Sequence, residues 1–140
     1  MKRLFLVFFM VAACSFKLHA QDLNTVNVKE LLMSREWTSP DTLWTISFSD
    51  TMSCHRCVVP NQTVFVINRA FYLSDTADTV FVSSKMGANH GIFVVWREYG
   101  NRSSWIELMD IDSDHMVYRS MVNNILELTA RPKQGGNPSE

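Results

Sequence analysis

Short segments of alternating apolar and polar residues fill most of the chain from Trp37 onward. In residues 41–49, for example, Trp44, Ile46 and Phe48 fall on one face and hydroxyl side chains on the other. This alternation is typical of strands that bury one face. Polar turns separate the segments, and such short connections favour antiparallel neighbours. Further strands are expected at residues 62–73, 79–86, 91–99, 104–110, 115–121 and 125–131.

A meander of seven or eight strands either closes into a barrel or splits into two packed sheets. Closure removes exposed edges, which proline and other edge-guarding devices would otherwise have to protect. We therefore predict an all-β, antiparallel up-and-down barrel of about eight strands. A short N-terminal helix is predicted to cover one end, because Asn27 can cap a turn that contains Glu30 and the apolar Leu31 and Leu32.

Residues 1–20 have the order of a secretory signal peptide: Lys2 and Arg3, then an uncharged apolar run, then a small residue before Gln21. The predicted product is exported to the periplasm or the exterior. An alternative is lipidation at Cys14, since Val-Ala-Ala-Cys resembles a bacterial lipobox. The protein would then be an outer-membrane lipoprotein, and membrane attachment is expected only in that case.

The mature chain is predicted to form one domain over residues 21–131, followed by a frayed tail over 132–140 that is rich in Gly, Pro and polar residues. Without the three basic residues of the leader, 10 basic and 14 acidic side chains remain, so the net charge is −4. Nucleic acid is not an expected partner, because its binding calls for a basic face.

Several short motifs occur along the chain in a recognisable order: Lys29-Glu30-Leu31-Leu32 followed by Trp37, Phe48-Ser49-Asp50, Phe71-Tyr72-Leu73-Ser74, Ile106-Glu107-Leu108 and His115-Met116-Val117-Tyr118. In order and spacing these motifs resemble those of the lipocalin-like domains of secreted bacterial proteins. The resemblance covers residues 28–130 and implies an eight-stranded calycin-type barrel, a family whose members mostly bind apolar molecules or proteins.

Aromatic residues on the strands are the candidates for a ligand site. An eight-stranded barrel is only just wide enough to be filled by side chains or to hold one small ligand. If Trp44, Trp96 and Tyr118 point inward, they either pack the core or form the wall of an apolar cavity. Polar residues inside apolar strands must be paired or must contact a ligand wherever they point inward; these are Asn68, Arg69, Glu98 and Glu107.

Cys54 and Cys57 form the sharpest local motif, and a structural disulfide between them is the favoured interpretation. A redox-active pair is an alternative, because His55 and Arg56 would favour the thiolate. A zinc site would require His90 or His115 to join Cys54, His55 and Cys57 as the fourth ligand. The acidic turn from Asp110 to Asp114 lacks the Gly and Glu of an EF-hand, so solvated carboxylates are expected there.

The sequence contains no nucleophile elbow, zinc-protease motif or phosphate loop. We therefore expect a binding protein rather than an enzyme, with no cofactor. The predicted partner is a small apolar ligand. The alternative is a protein partner, as for an inhibitor of an envelope or secreted enzyme, and a thiol oxidoreductase using Cys54 and Cys57 is the third hypothesis.

Overall fold

The computed structural model describes residue 23 and residues 26–61 and 63–133. Eight strands form a closed barrel in chain order, each antiparallel to the next, and β1 pairs with β8 to complete the circle. This confirms the predicted all-β up-and-down barrel. The strands are β1 (Arg35–Thr38), β2 (Trp44–Phe48), β3 (Met52–Val59), β4 (Thr63–Ser74), β5 (Phe93–Arg97), β6 (Ser103–Ile111), β7 (His115–Ser120) and β8 (Ile125–Pro132).

The strand register places alternate side chains inside the barrel, as the sequence pattern predicted for β2. A bulge between Leu108 and Asp110 shifts the register of β6, so that Leu108 and Ile111 both join the buried core. The core consists mainly of inward aliphatic and aromatic side chains: Trp37, Ile46, Phe48, Phe71, Leu73, Val94, Trp96, Leu108, Ile111, Met116, Tyr118 and Leu128.

A short helix, α1 (Val28–Ser34), precedes β1. The side-chain oxygen of Asn27 accepts a hydrogen bond from the Glu30 backbone N–H at 3.1 Å, which confirms the predicted N-cap. Val28 and Leu32 are buried in the barrel core. The helix therefore closes the end of the barrel at which β1 begins, as its predicted role as a lid requires.

Lys29 fixes α1 to two other segments at the closed end. Its ammonium contacts the Asp50 carboxylate at 2.6 Å, in the β2–β3 turn, and donates to the Gly87 carbonyl at 3.0 Å. The side chain of Lys29 is 6% exposed and that of Asp50 is 72% exposed. The ion pair thus connects the helix to the β2–β3 turn, and the hydrogen bond to Gly87 connects it to the long β4–β5 connection.

The strand predicted over residues 79–86 is wrong. This part of the β4–β5 connection crosses the outer face of the barrel, with a single bridge from Val80 to Arg102 and a 3-10 turn at Ser83–Lys85. Phe81 is buried there against Tyr72 and Val95, in a second apolar cluster outside the barrel. The alternation that suggested a strand arises because Phe81 packs onto the outer face of the barrel, whereas its neighbours in the sequence are exposed.

Two strands were not predicted from the sequence. β1 has only four residues, and β3 contains the Cys54–Cys57 motif. β8 extends to Pro132, which pairs with Arg35, so the barrel runs one residue beyond the expected domain boundary. Lys133, also in the expected frayed tail, donates to the Phe48 carbonyl at 2.9 Å, and residues 134–140 lie outside the described residues.

β4 is longer than the strand beside it. Residues 71–74 pair with β5, whereas residues 63–70 pair only with β3. The first half of β4 therefore has a free edge, and its apolar side chains are exposed: Val64, Phe65, Val66 and Ile67.

Candidate ligand-binding cavity

The barrel end opposite α1 contains a cavity of about 400 Å³. The β1–β2, β3–β4, β5–β6 and β7–β8 turns lie at this end, because successive strands run in opposite directions from the helix-closed end. Its lining combines aromatic, aliphatic and a few polar side chains: Trp44, His55, Arg69, Trp96, Ser104, Trp105, Ile106, Tyr118, Ser120, Met121, Val122 and Leu126.

Trp44, Trp96 and Tyr118, the three aromatic residues proposed from the sequence, all line this cavity. Trp96 and Tyr118 are nearly buried and Trp44 is half-buried. Burial raises the pKa of the Tyr118 hydroxyl, so this group remains a neutral donor at neutral pH. These residues also pack on the core, so the same rings both complete the core and form the cavity wall.

A polar chain crosses the aromatic wall through Ser53 on β3. The Trp96 indole N–H donates to Ser53 Oγ at 2.8 Å, and the same oxygen lies 2.9 Å from Nε2 of His55. The His55 ring lies 5.9 Å from the Trp44 ring and 5.4 Å from the Trp96 ring, measured between centroids. Burial and the nearby Arg69 charge lower the pKa of His55 to about 4, although Glu98 opposes them. The imidazole is therefore neutral at neutral pH.

Arg69 is the charged member of the lining, and it is paired. Its guanidinium contacts Glu98 at 2.9 Å, and the same carboxylate oxygen of Glu98 accepts from the Ser104 hydroxyl at 2.6 Å. Of the other polar residues noted in the strands, Asn68 is exposed, and Glu107 pairs with Arg119 at 3.3 Å. The expectation that inward polar residues would be paired holds for Arg69.

Sequence reasoning missed His55 as a cavity residue and Ser53 as its hydrogen-bond partner. Both lie on β3, where the register pairs His55 with Ile46 and Ser53 with Phe48. The available signal was the alternation of Ser53, His55 and Cys57. Because the inward face of β2 was predicted correctly, pairing the next strand with β2 would have placed these three residues on the inward face as well. The Cys54–Cys57 motif obscured this signal, because His55 was considered only as part of that motif, either beside a reactive thiol or as a zinc ligand.

The predicted disulfide is not formed, and Cys54 and Cys57 are free thiols. They are three residues apart on one strand, so their side chains point to opposite faces, with about 10 Å between their Cα atoms. A disulfide needs Cα atoms within about 7 Å. Cys57 is on the inward face opposite Trp44, whereas Cys54 lines a second pocket, of about 350 Å³, with Glu36 and Asn68. The same separation removes the geometry that a redox pair requires.

His115 has two carboxylate partners. Its Nε2 lies 3.1 Å from Asp110 and its Nδ1 lies 3.1 Å from Asp112. Burial alone would lower the pKa of His115, but the hydrogen bond to Asp110 and the charges of Asp112 and Glu127 raise it. Asp112 Oδ1 also accepts from the Asp114 and His115 backbone N–H groups, so the acidic residues organise the β6–β7 turn.

Among residues 26–61 and 63–133, no cluster of three or more His, Cys, Asp or Glu side chains is arranged to hold a metal ion. The same described part of the chain has no helix of the length and apolarity that a membrane span requires. The predicted signal peptide and the alternative lipidation site at Cys14 fall outside the described residues.

Comparison with known proteins adds no assignment to this geometry. No protein-family model matches the chain, and neither the curated proteins nor the solved structures contain a significant match.

Proposed function

We propose that this chain is an exported binding protein that holds a small apolar molecule in the open end of its barrel. The observation that carries the proposal is the cavity of about 400 Å³ lined by Trp44, Trp96 and Tyr118. Small-molecule sites typically have volumes of about 300–1,000 Å³, with mainly apolar walls and a few polar groups. The resemblance to lipocalin-like domains supports the binding part of this proposal, and the leader-like residues 1–20 support export.

The wall of the cavity favours binding over chemistry. Ser53 and His55 have the spacing of a nucleophile and its base, but Ser53 is 1% exposed. Its oxygen already accepts from the Trp96 indole and contacts Nε2 of His55, so it is held in the wall by two side chains. The pair therefore serves the wall of the cavity rather than catalysis.

The test uses N-phenyl-1-naphthylamine, a neutral probe whose fluorescence rises in apolar sites. We expect saturable binding of about one probe per chain to the wild-type protein. Ser120 lines the cavity, so Ser120→Trp should fill the space and weaken binding by at least about tenfold, or about 1.4 kcal/mol. Ser113→Trp is the matched control, because Ser113 is exposed in the β6–β7 turn at the closed end.

Absence of probe binding to a folded wild-type protein would refute the proposal. Equal weakening by both tryptophan variants would also contradict it, because the probe would then bind elsewhere or respond to a general loss of stability. Circular dichroism of each variant establishes that the barrel is intact before the titrations are compared.

One observation favours a second candidate, a protein-binding module. The free edge of β4 exposes four consecutive apolar residues, of which Phe65 is 54% and Val66 is 57% exposed. An edge strand offers unpaired backbone groups to an extended segment of another protein. If this is the function, Val66→Lys should abolish capture of a partner from the host's secreted proteins and leave probe binding unchanged. A partner that is captured equally by both proteins would refute this candidate.

A further inference from the structure

His55 occupies a distinctive place in the cavity wall, between the rings of Trp44 and Trp96. Aromatic side chains need no histidine between them in order to pack, and a third apolar ring would avoid the cost of burying polar nitrogens. The surroundings of the two nitrogens show what the imidazole offers that an apolar ring does not.

The hydrogen bonds around Ser53 fix the proton on the His55 ring. An indole N–H only donates, so the Ser53 oxygen accepts from Trp96 and has one hydrogen left to give. Nε2 of His55 lies at 2.9 Å from this oxygen, whereas the other candidate acceptor, the Arg69 carbonyl, lies at 3.4 Å. The shorter contact assigns Nε2 as the acceptor. The neutral ring then carries its hydrogen on Nδ1.

The Nδ1 atom of His55 is the ring nitrogen that remains for a ligand. Its ring has no hydrogen bond in the described part of the chain other than the one at Nε2. It is also not a buried polar atom without a partner, since Asp110 Oδ1 is the one such atom among the described residues. The Nδ1–H group is therefore accessible, and His55 lines the cavity. It is a donor without an acceptor among the described residues.

The charges nearby select against an ionised ligand. Arg69 and Glu98 neutralise each other at 2.9 Å, and the carboxylate is held further by Ser104. An anionic or cationic ligand would leave water without gaining a free charge of opposite sign. A neutral molecule loses little on entering the same space.

We propose that the ligand is a neutral, largely apolar molecule that carries a hydrogen-bond-accepting oxygen, and that His55 Nδ1–H donates to this oxygen. Trp96 and Ser53 act as positioning residues, because their hydrogen bonds hold the ring in the tautomer that presents the donor. This inference rests on the proposed function, since it names the ligand class of the same cavity.

The experiment compares two probes of the same shape. Acetophenone has a carbonyl oxygen where α-methylstyrene has a methylene group, so they differ in one acceptor. Each is titrated as a competitor of N-phenyl-1-naphthylamine against the wild type, His55→Phe and the control His90→Phe. His55→Phe keeps a ring between the tryptophans and removes the donor. His90 is exposed in the β4–β5 connection, outside the cavity.

We expect the ratio of ketone to alkene affinity to fall about three- to tenfold in His55→Phe, the size of one neutral hydrogen bond. The ratio should be unchanged in His90→Phe. If both probes bind the wild type and the ratio is the same in His55→Phe, the role of His55 is overturned and the proposed function stands. If neither apolar probe nor the fluorophore binds the wild type, the proposed function itself fails.

A second measurement requires no variant. The ¹⁵N chemical shifts of the histidine ring distinguish the two neutral tautomers. We expect the proton of His55 on Nδ1 in the free protein, and we expect acetophenone, but not α-methylstyrene, to shift this resonance. A proton on Nε2 would overturn the inference, and this result does not depend on whether His55→Phe folds.

Discussion

Trp37 joins the helix to the barrel core, and its replacement by phenylalanine should be among the most destabilising conservative changes. The side chain is fully buried, and its indole N–H donates to the Leu32 carbonyl at 3.1 Å. Leu32 lies in the last turn of α1, where no helical N–H is available to its carbonyl. Trp37→Phe therefore removes both ring volume and the partner of a buried carbonyl.

The two losses can be estimated separately. The missing part of the ring costs roughly 1 kcal/mol at about 25 cal/mol per Å² of apolar surface. The stranded carbonyl costs about 1–3 kcal/mol more. The expected loss in the free energy of unfolding is therefore about 2–4 kcal/mol, which corresponds to a fall in Tm of about 8–16 °C for a domain of this size.

Urea denaturation and thermal melting of the wild type, Trp37→Phe and Trp105→Phe provide the assay. Trp105 is the matched control, because its ring is half-buried against Phe93, apart from the core cluster that contains Trp37, and no described residue accepts from its indole. We expect the control to lose no more than about 1 kcal/mol. Equal losses in the two variants would refute the reasoning, since ring size alone would then account for both.

Three further outcomes are expected. The pKa of His115 in the folded protein is raised above its ordinary value of 6.5, so its contribution to stability is complete below that value and is lost as pH rises through the folded pKa. In urea denaturation, His115→Gln should therefore lose more unfolding free energy relative to the wild type at about pH 5.5 than at about pH 9. An equal loss at the two pH values would contradict the ion pairs. Iodoacetamide added to the unfolded protein without reductant should alkylate both Cys54 and Cys57, and peptide mass spectrometry that finds neither modified would indicate a disulfide. Val66→Lys should slow aggregation measured by light scattering and change the free energy of unfolding by less than about 0.5 kcal/mol. Val80 is the control, since it is similarly exposed, at 58%, but lies off the β4 edge, and Val80→Lys should not slow aggregation.

The barrel could be predicted because its strongest signals are local. Trp44, Ile46 and Phe48 alternate with hydroxyl residues, and short turns leave few topologies other than an antiparallel meander. The helix was predicted from a single cap, Asn27, which bonds as expected. These features depend on neighbours in the sequence, and the structure confirms them.

The wrong and missed predictions have a common cause. Each depends on which residues pack against or pair with the segment in the folded barrel. Phe81 is buried on the outer face of the barrel, and only the surface formed by Tyr72 and Val95 explains why residues 79–86 cross it as a loop. The inward direction of His55 follows from its pairing with Ile46 on β2. Whether Cys54 and Cys57 can form a disulfide is decided by the strand that contains them, because residues three apart on a strand point to opposite faces.

The open end of the barrel follows from unequal strand lengths. β1 and β5 have four and five residues, whereas β4 has twelve and β8 has eight. At the helix end every strand has neighbours and α1 adds a cover, so the inward side chains pack together. At the other end β4 and β8 extend beyond β5 and β1, and the inward side chains there lack opposite partners. Large rings at Trp44 and Trp96 narrow this space without filling it, and the remaining volume is the cavity in which His55 presents its donor.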